Sequence, residues 1–419
     1  MTKYILTIFL VFSYIITCNA SYILIPMDDS QKNHLKAYGI AYWSLQNGIE
    51  IQWLLNYRGG SFLVQNHNEI GDECNTRGVS YETIADVQAS EILNYISQPE
   101  INMDAIKLEK APKIAVYSPP NKLPWDDAVT LVLTYAEIPF DIIYDGEIIK
   151  GDLSKYDWLH LHHEDFTGQY GKFWAAYQYS SWYINDVQMN EQMAATLGFK
   201  KVSQLKLAVA KAIKDYVANG GFMFAMCSAP DSYDIALSAD GVDICEYMFD
   251  GNSADPDMQN KIDFNKTFAF KDFILEKNPY KYELSNIDVT NTRKVTKDQD
   301  FFTLFEFSAK WDPVPAMLCQ NHSNIIKGFM GQTTAFNKNV IKSSVLIMGE
   351  NKAANEARYI HGEYGKGTWT FYGGHDPEDY QHFVYDPPTD LNLFTNSPGY
   401  RLILNNVLFP AAKKKKLNT

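Results

Sequence analysis

The sequence predicts an α/β protein: a doubly wound, mainly parallel sheet in a three-layer α/β/α arrangement, with an N-terminal α/β unit and an insertion. Three observations carry this. Short apolar runs alternate with amphipathic helical stretches along most of the 419 residues. The runs are followed by helix or loop rather than by hairpin turns, as parallel strands require. One run, "FMFAMC" at 222–227, is apolar throughout, which suits a strand buried on both faces. With 46% hydrophobic residues the chain has enough apolar surface for a large core.

Residues 1–20, "MTKYILTIFLVFSYIITCNA", hold Lys3, an apolar run to Ile16 and then small residues. This pattern predicts a secretory signal peptide cut after Ala20, with Cys18 and Ala20 flanking Asn19 at the cleavage site. Acylation of Cys18 is the lipoprotein alternative. The apolar run is short for a membrane span, and no other stretch resembles one, so an exported, periplasmic or secreted protein is expected rather than an integral membrane protein. Residues 21–110 read as strand "SYILIP", helix capped near Ser30, turn at Gly48 and strand "IEIQWLLNY", a βαβ unit. "RGGS" at 58–61 reads as a turn, with a small anion nest as the other option.

The main domain is expected over 111–412. "KIAVY" is a strand closed by prolines, and "WDDAVTLVLTYAEI" a helix with acidic residues in its first turn. "PFDII" and "DWLHLHH" are further strands. "SQLKLAVAKAIKDYVANGG" is an amphipathic helix stopped by Gly220, which leads into "FMFAMC". Residues of about 250–340, rich in Asn, Asp and Phe, read as an insertion. The pattern resumes with "KSSVLIMGE", "ARYIHGEYGKGTWTFYGGHDPEDY" and a closing helix in "SPGYRLILNNVLF", before a basic tail at 413–419.

A formal net charge of −13 argues against a nucleic-acid partner, which needs a basic footprint. No CxxC pair is present, so a cysteine-based zinc site is not expected. Function in a doubly wound sheet gathers at the carboxyl ends of the strands. Three segments should end there: "HLHHEDFTG", "AMCSA" and "FYGGHDPE". They offer Cys227 at a strand–turn–helix junction, His375 as a base, and Asp376 or Glu378 to orient it.

Helix, Gly-Gly, apolar strand and then Cys227 on a tight turn resembles the class I glutamine amidotransferase-like superfamily, whose G-x-C-x-G elbow is followed late in the chain by H-x-E. The segments "GGFMFAMCSAPDS" and "GKGTWTFYGGHDPEDY" also resemble the related ThuA-like (trehalose utilisation) proteins, which usually have His at the position of Cys227. The resemblance covers about 111–245 and 358–410. It implies a catalytic Cys227–His375–Glu378 set, with an oxyanion or substrate loop drawn from His163, Glu164 and Gly168, and with Asp376 beside it. Ala225 and Ala229 stand where the amidotransferase elbow has glycines, and His375 and Glu378 are in H-x-x-E spacing. End to end, through "HLKAYGIAYW", "LLNYRGGSF", "AKWDPVP" and "PGYRLILNNVLFPA", the chain resembles bacterial proteins labelled asparagine synthetase B. That chemistry needs an S-G-G-x-D-S loop for ATP, which "RGGSF" is not, and a catalytic cysteine directly after the initiator Met, where this chain has Thr2.

Two readings follow. One is an exported amidase or glutaminase-type hydrolase with a thiol nucleophile; the other is a ThuA-like envelope protein that binds or processes a carbohydrate without cysteine catalysis. Either takes a small-molecule substrate, an amide or a sugar derivative. No cofactor is expected and no metal; were a metal present, His160 and His162, which alternate onto one strand face, would be its ligands. The 27 tyrosines supply stacking surface for a sugar, or fill the core.

Overall fold

A computed structural model describes residues 20–412 apart from Lys122. The expected signal peptide, save its last residue, and the basic tail at 413–419 lie outside the described residues.

The first sheet contains β1 (Ala20–Ile25), β2 (Ile51–Leu55), β3 (Ser61–Gln65), β4 (Glu82–Ala85) and β5 (Asp104–Leu108), in the order β4-β1-β3-β2-β5. All of its pairings are antiparallel. The strand, helix (His34–Gln46) and strand expected at the start are present, but β3 lies between β1 and β2, so the βαβ unit is split. The five-residue link between β2 and β3 makes a hairpin that folds β3 back into that gap. Within the link, Asn56, Arg58, Gly59 and Gly60 all have positive φ. Arg58 is engaged by carboxylates, donating to Asp28 at 2.6 Å and Glu82 at 2.8 Å, so "RGGS" is a turn with its cation already paired. The first helix is capped by Asn33, whose Oδ1 accepts the Lys36 N–H at 2.9 Å, three residues later than expected.

The period of two along these strands decides their packing. Leu24, Leu54 and Leu63 face Ala89 and Ile96 of the Asp86–Ser97 helix. Ile23, Ile25, Trp53 and Phe62 face the other way, into a core that includes Tyr38 of the first helix.

The second sheet contains β6 (Ile114–Tyr117), β7 (Asp141–Ile143), β8 (Trp158–Leu161), β9 (Phe222–Met226), β10 (Phe301–Leu304), β11 (Ile325–Lys327), β12 (Phe336–Asn337), β13 (Leu346–Asn351), β14 (Glu356–Tyr364) and β15 (Gly367–Tyr372). Its order is β11-β10-β13-β14-β15-β9-β8-β6-β7, with β12 on β14. From β7 to β15 every neighbour is parallel, and the strands read at 113–117, 157–162 and 221–226 are in this run. Beyond β15 the sheet is antiparallel. The cause is local: Gly365, at φ +62°, and Lys366 turn β14 directly into β15 as a hairpin. The segment 250–340 supplies β10, β11 and β12 to the same sheet.

Alternate residues of the parallel strands enter two cores. Val116, Phe224 and Met226 pack with Val129 and Val132 of the Ala128–Tyr135 helix and Leu404 of the Pro398–Leu408 helix. Ala115, Leu159, Met223 and Ala225 pack with Leu205, Val209 and Ile213 of the Val202–Ala218 helix and Tyr233 of the Ala229–Ser238 helix. The first of these cores also holds the inner face of the small sheet, so both sheets share it. Among the described residues no helix is long and apolar enough to cross a membrane.

Candidate functional site

Three adjacent strands, β8, β9 and β15, end side by side, and the residues just past them form the site. Past β9 comes Cys227, with φ +54°. A side chain in this left-handed region costs roughly 1–2 kcal/mol, so the turn is held by its surroundings. Its N–H donates to Gly374 O past β15 at 3.1 Å, and the Ala229 N–H donates to His162 O past β8 at 2.9 Å. The helix Ala229–Ser238 starts directly after it, with Pro230 in its first turn. Ala225 and Ala229 are fully buried, so alanine fits at both positions where the resembled elbow has glycine. The Gln332 N–H reaches Cys227 Sγ at 3.4 Å.

His162 is fully buried and lies between three groups. Its Nδ1 is 3.2 Å from Asp127 Oδ1 and its Nε2 is 3.2 Å from His375 Nδ1, with the Cys227 thiol a near neighbour that acts on its protonation. Burial alone would lower its pKa; the charge of Asp127 close to Nδ1, with the thiol, raises it instead to about 10. Asp127 is also the N-cap of the Ala128–Tyr135 helix, where Oδ1 accepts the N–H groups of Val129 and Thr130 at 2.7 and 2.9 Å. Its Oδ2 is 3.2 Å from His160 Nε2. Burial pushes this carboxyl up, but the two imidazoles outweigh it and hold the pKa well below the usual range. Burial lowers His160 itself.

His375 comes into contact with this group from β15. Burial first, then its histidine neighbours, press its pKa far below the ordinary value, and its Nε2 has no hydrogen-bond partner. It stacks on His382 at 4.7 Å and on His163 at 5.6 Å between ring centroids. Glu378 is directed elsewhere: its N–H donates to Asp376 Oδ1 at 2.8 Å, its carboxyl bonds to Ser397, and burial raises its pKa. Asp376 is fully buried beside Tyr400, with Oδ2 unpartnered.

Of the expected loop residues, His163 lines the same cleft as Cys227 and His375. Glu164 turns into a neighbouring hollow and accepts the His162 N–H at 3.1 Å; burial lifts its pKa to about 7. Gly168, at φ +81°, is pressed against the backbone of Ser203, where a Cβ would come within 2.7 Å of Cα. Its place is a helix contact and not the thiol. The structure therefore brings together Cys227, His375, His163, His162 and His160, and leaves Gly168 and Glu378 on other neighbours.

Asp127, Asp126 and His382 were not singled out from sequence as site residues. Asp127 was visible only as an acidic residue in a helix's first turn, a position that every solvent-exposed cap shares. His382 stands seven residues past His375, and only the loop that folds it back makes that spacing meaningful.

The cleft measures about 460 Å³. Trp125, Phe173, Tyr177, Tyr280 and Tyr282 line it, and Met330, Gly331 and Gln332 close one side, so the segment 250–340 contributes directly to the site. The remaining described thiols are unpaired and ill suited to react: burial raises the pKa of Cys74 to about 12, that of Cys245 well above the ordinary value, and that of Cys319 likewise.

Chemically, a thiol, an imidazole and a carboxylate in contact, in that order, is an arrangement for nucleophilic attack and proton transfer. No protein-family model matches the chain, and no curated protein does. Among solved structures the chain is similar to two cytoplasmic proteins from Salmonella typhimurium. Each is 12% identical, with 72% of this chain and 100% of theirs covered, at TM-scores of 0.35 and 0.36. It is also similar to Gan42B, a GH42 β-galactosidase, at 12% identity and a TM-score of 0.28, over 64% of this chain and 28% of that one. At these scores nothing about activity follows from them.

Proposed function

We propose that the chain is an exported hydrolase of amide substrates, of the class I glutamine amidotransferase-like, three-layer α/β/α type, with Cys227 as nucleophile. The geometry favours His162 and Asp127 as base and orienting carboxylate, in place of the His375 and Glu378 that the resemblance implies. The observation that carries the reading is a cysteine at φ +54° on a strand-to-helix turn, with His162 beside its thiol and Asp127 behind His162.

In the proposed reaction the sulfur attacks the amide carbonyl carbon and the C=O electron pair moves to oxygen. The proposed oxyanion donors are the N–H of Gln332, which reaches Cys227 Sγ at 3.4 Å, and, as in a nucleophile elbow, the N–H of Ser228, the residue after the nucleophile. When the intermediate collapses, the C–N bond breaks and a proton from His162 goes to the leaving nitrogen. Water then adds to the thioester, giving up a proton to His162, and the C–S bond breaks to release the carboxylic acid. Asp127 keeps the imidazole oriented throughout and stays ionised. No ATP is needed, in keeping with the absence of an S-G-G-x-D-S loop from the sequence.

The test is ammonia release from glutamine and from a panel of simple amides by exported, full-length protein. Activity that falls by at least about a hundredfold in both Cys227→Ala and His162→Ala supports the reading. Hydrolysis that survives Cys227→Ala overturns it.

The aromatic walls of the cleft favour a second reading, the ThuA-like one. Trp125, Phe173, Tyr177 and Tyr282 line the cleft with aromatic side chains of the kind that stack on sugars. Quenching of tryptophan fluorescence by monosaccharides and their derivatives in Cys227→Ala protein would support it; no spectral change across the panel would count against it.

A further inference from the structure

We propose that Asp126, His375 and His382 form a binding site for one divalent transition-metal cation of the zinc type, in the wall of the cleft. The three residues offer ligand atoms that all lie within 4.8 Å of one another. His382 Nε2 is 3.1 Å from Asp126 Oδ1. Ligand atoms about 2.0–2.1 Å from a tetrahedral zinc stand roughly 3.3 Å apart, so this spacing already suits a shared cation.

The stronger observation is what these atoms lack. His382 Nε2, His375 Nε2 and both carboxylate oxygens of Asp126 are buried and have no hydrogen-bond partner; the His382–Asp126 contact is out of line for one. His375 is only 5% exposed. Buried donors and acceptors are ordinarily satisfied, and orphaned atoms on three residues whose ligand atoms cluster within 4.8 Å call for a common partner. A cation supplies it.

The atoms behind the ligands agree. His382 Nδ1 is 2.9 Å from Asp379 Oδ2, so Nδ1 carries the hydrogen and Nε2 presents its lone pair. His375 Nδ1 is backed by His162, and His162 by Asp127. Both imidazoles thus have the carboxylate support, direct or relayed, that orients metal-binding histidines. For His375 to bind through Nε2, its Nδ1 must donate to His162 Nε2, so metal loading displaces one proton from that pair.

Other clusters are partly committed. His162 Nε2 and His375 Nδ1 hydrogen-bond each other, which leaves the set His162, His163 and His375 with His162 Nδ1, which faces Asp127, His163 Nδ1 and the same His375 Nε2. In the set Asp127, His160 and His162 the carboxylate caps its helix. Asp243 and Asp250, grouped with Cys245, hold Lys201 at 2.6 and 2.8 Å. Two nitrogen ligands and one carboxylate select zinc, cobalt or nickel over magnesium or calcium, which prefer all-oxygen sets. Three protein ligands leave a fourth position, as catalytic zinc sites do. His375 and His382 both line the cleft that holds Cys227, so that position faces the substrate space. Cys227 is not a ligand, but the site touches the thiol chemistry through the His375–His162 pair, so metal binding is read directly and not from activity.

The test uses full-length protein, stripped with a chelator and titrated with zinc sulfate by calorimetry, with cobalt absorption as a second readout. The expected result is about one zinc per chain in wild type and in Cys227→Ser. Affinity should fall at least about tenfold in Asp126→Asn and His382→Ala, and the cobalt spectrum should show no sulfur-to-metal band. Asp126→Asn is nearly isosteric and keeps the test decisive if His382→Ala does not fold. Absence of zinc binding in wild type, wild-type affinity in Asp126→Asn, or loss of binding in Cys227→Ser would each overturn the proposal.

Discussion

His162 and Glu164, two residues apart, show how burial can leave one protonated group charged and another neutral. Both leave water almost completely. His162 has an ionised carboxylate against it and holds its proton up to about pH 10, whereas Glu164 has one backbone N–H and the unfavourable charge of Asp127 nearby, and stays neutral to about pH 7. For Glu164 the sign is set by a folded-state pKa of about 7 against 4.5 in the unfolded chain. Its contribution to stability is complete below the unfolded value and is lost as pH rises through the folded one. Glu164→Gln keeps an acceptor for the His162 N–H and removes the ionisation. The variant should therefore gain on the wild type between about pH 4 and about pH 8, by on the order of 3 kcal/mol at about 1.4 kcal/mol per unit. Urea unfolding at a series of pH values measures this; parallel stability profiles would contradict it.

At the scale of the element, the turn from β9 into the Ala229–Ser238 helix carries the account. Cys227→Gly and Cys227→Ala both delete the thiol and differ only in tolerance of φ +54°. The glycine variant should be the more stable of the two by about 1 kcal/mol, as read from denaturant midpoints. Equal stability, or a more stable alanine variant, would mean that the turn is not held as described.

The same turn marks what was legible in the sequence. "FMFAMC" and "KIAVY" announce parallel strands because both of their faces are buried, so they carry no polar alternation. β14 is as deeply buried, from Glu356 to Gly362, although it carries Glu356, Arg358 and His361, and nothing in its composition separates an antiparallel neighbour from a parallel one; the two-residue turn at 365–366 does that. The split of the first βαβ unit depended on β3 as a third partner, a non-local pairing that no local pattern encodes. The thiol's position was legible, since apolar strand, small residues and helix are all local. Its partner was not. His162 and His375 both stand at strand ends, and only the position of the Asp127 cap, more than thirty residues before His162, favours the earlier histidine.

Across the whole molecule, the two sheets are one mechanical unit. The His34–Gln46 helix packs between them, and its Gly39 lies where a Cβ would meet Ala136 O at 1.9 Å, at the end of the Ala128–Tyr135 helix that Asp127 caps. Gly39→Ala pushes backbone against backbone, which cannot rotate away. The substitution should cost about 1–3 kcal/mol and lower the melting temperature of both sheets together, in one calorimetric transition, because they share a core. Separate transitions, or no loss of stability, would show that the small sheet stands apart.

The most direct test of the central claim is the rate at which each cysteine of native, chelator-treated protein is alkylated by iodoacetamide at neutral pH, mapped by mass spectrometry. Cys227 alone among the four described thiols has an imidazole neighbour in His162 and a backbone N–H, that of Gln332, at its sulfur. Cys227 should label on the order of tenfold faster than Cys74, Cys245 or Cys319, and His162→Ala should remove most of that advantage while His375→Ala removes less. Labelling of Cys227 no faster than the others, or unchanged by His162→Ala, would contradict the account.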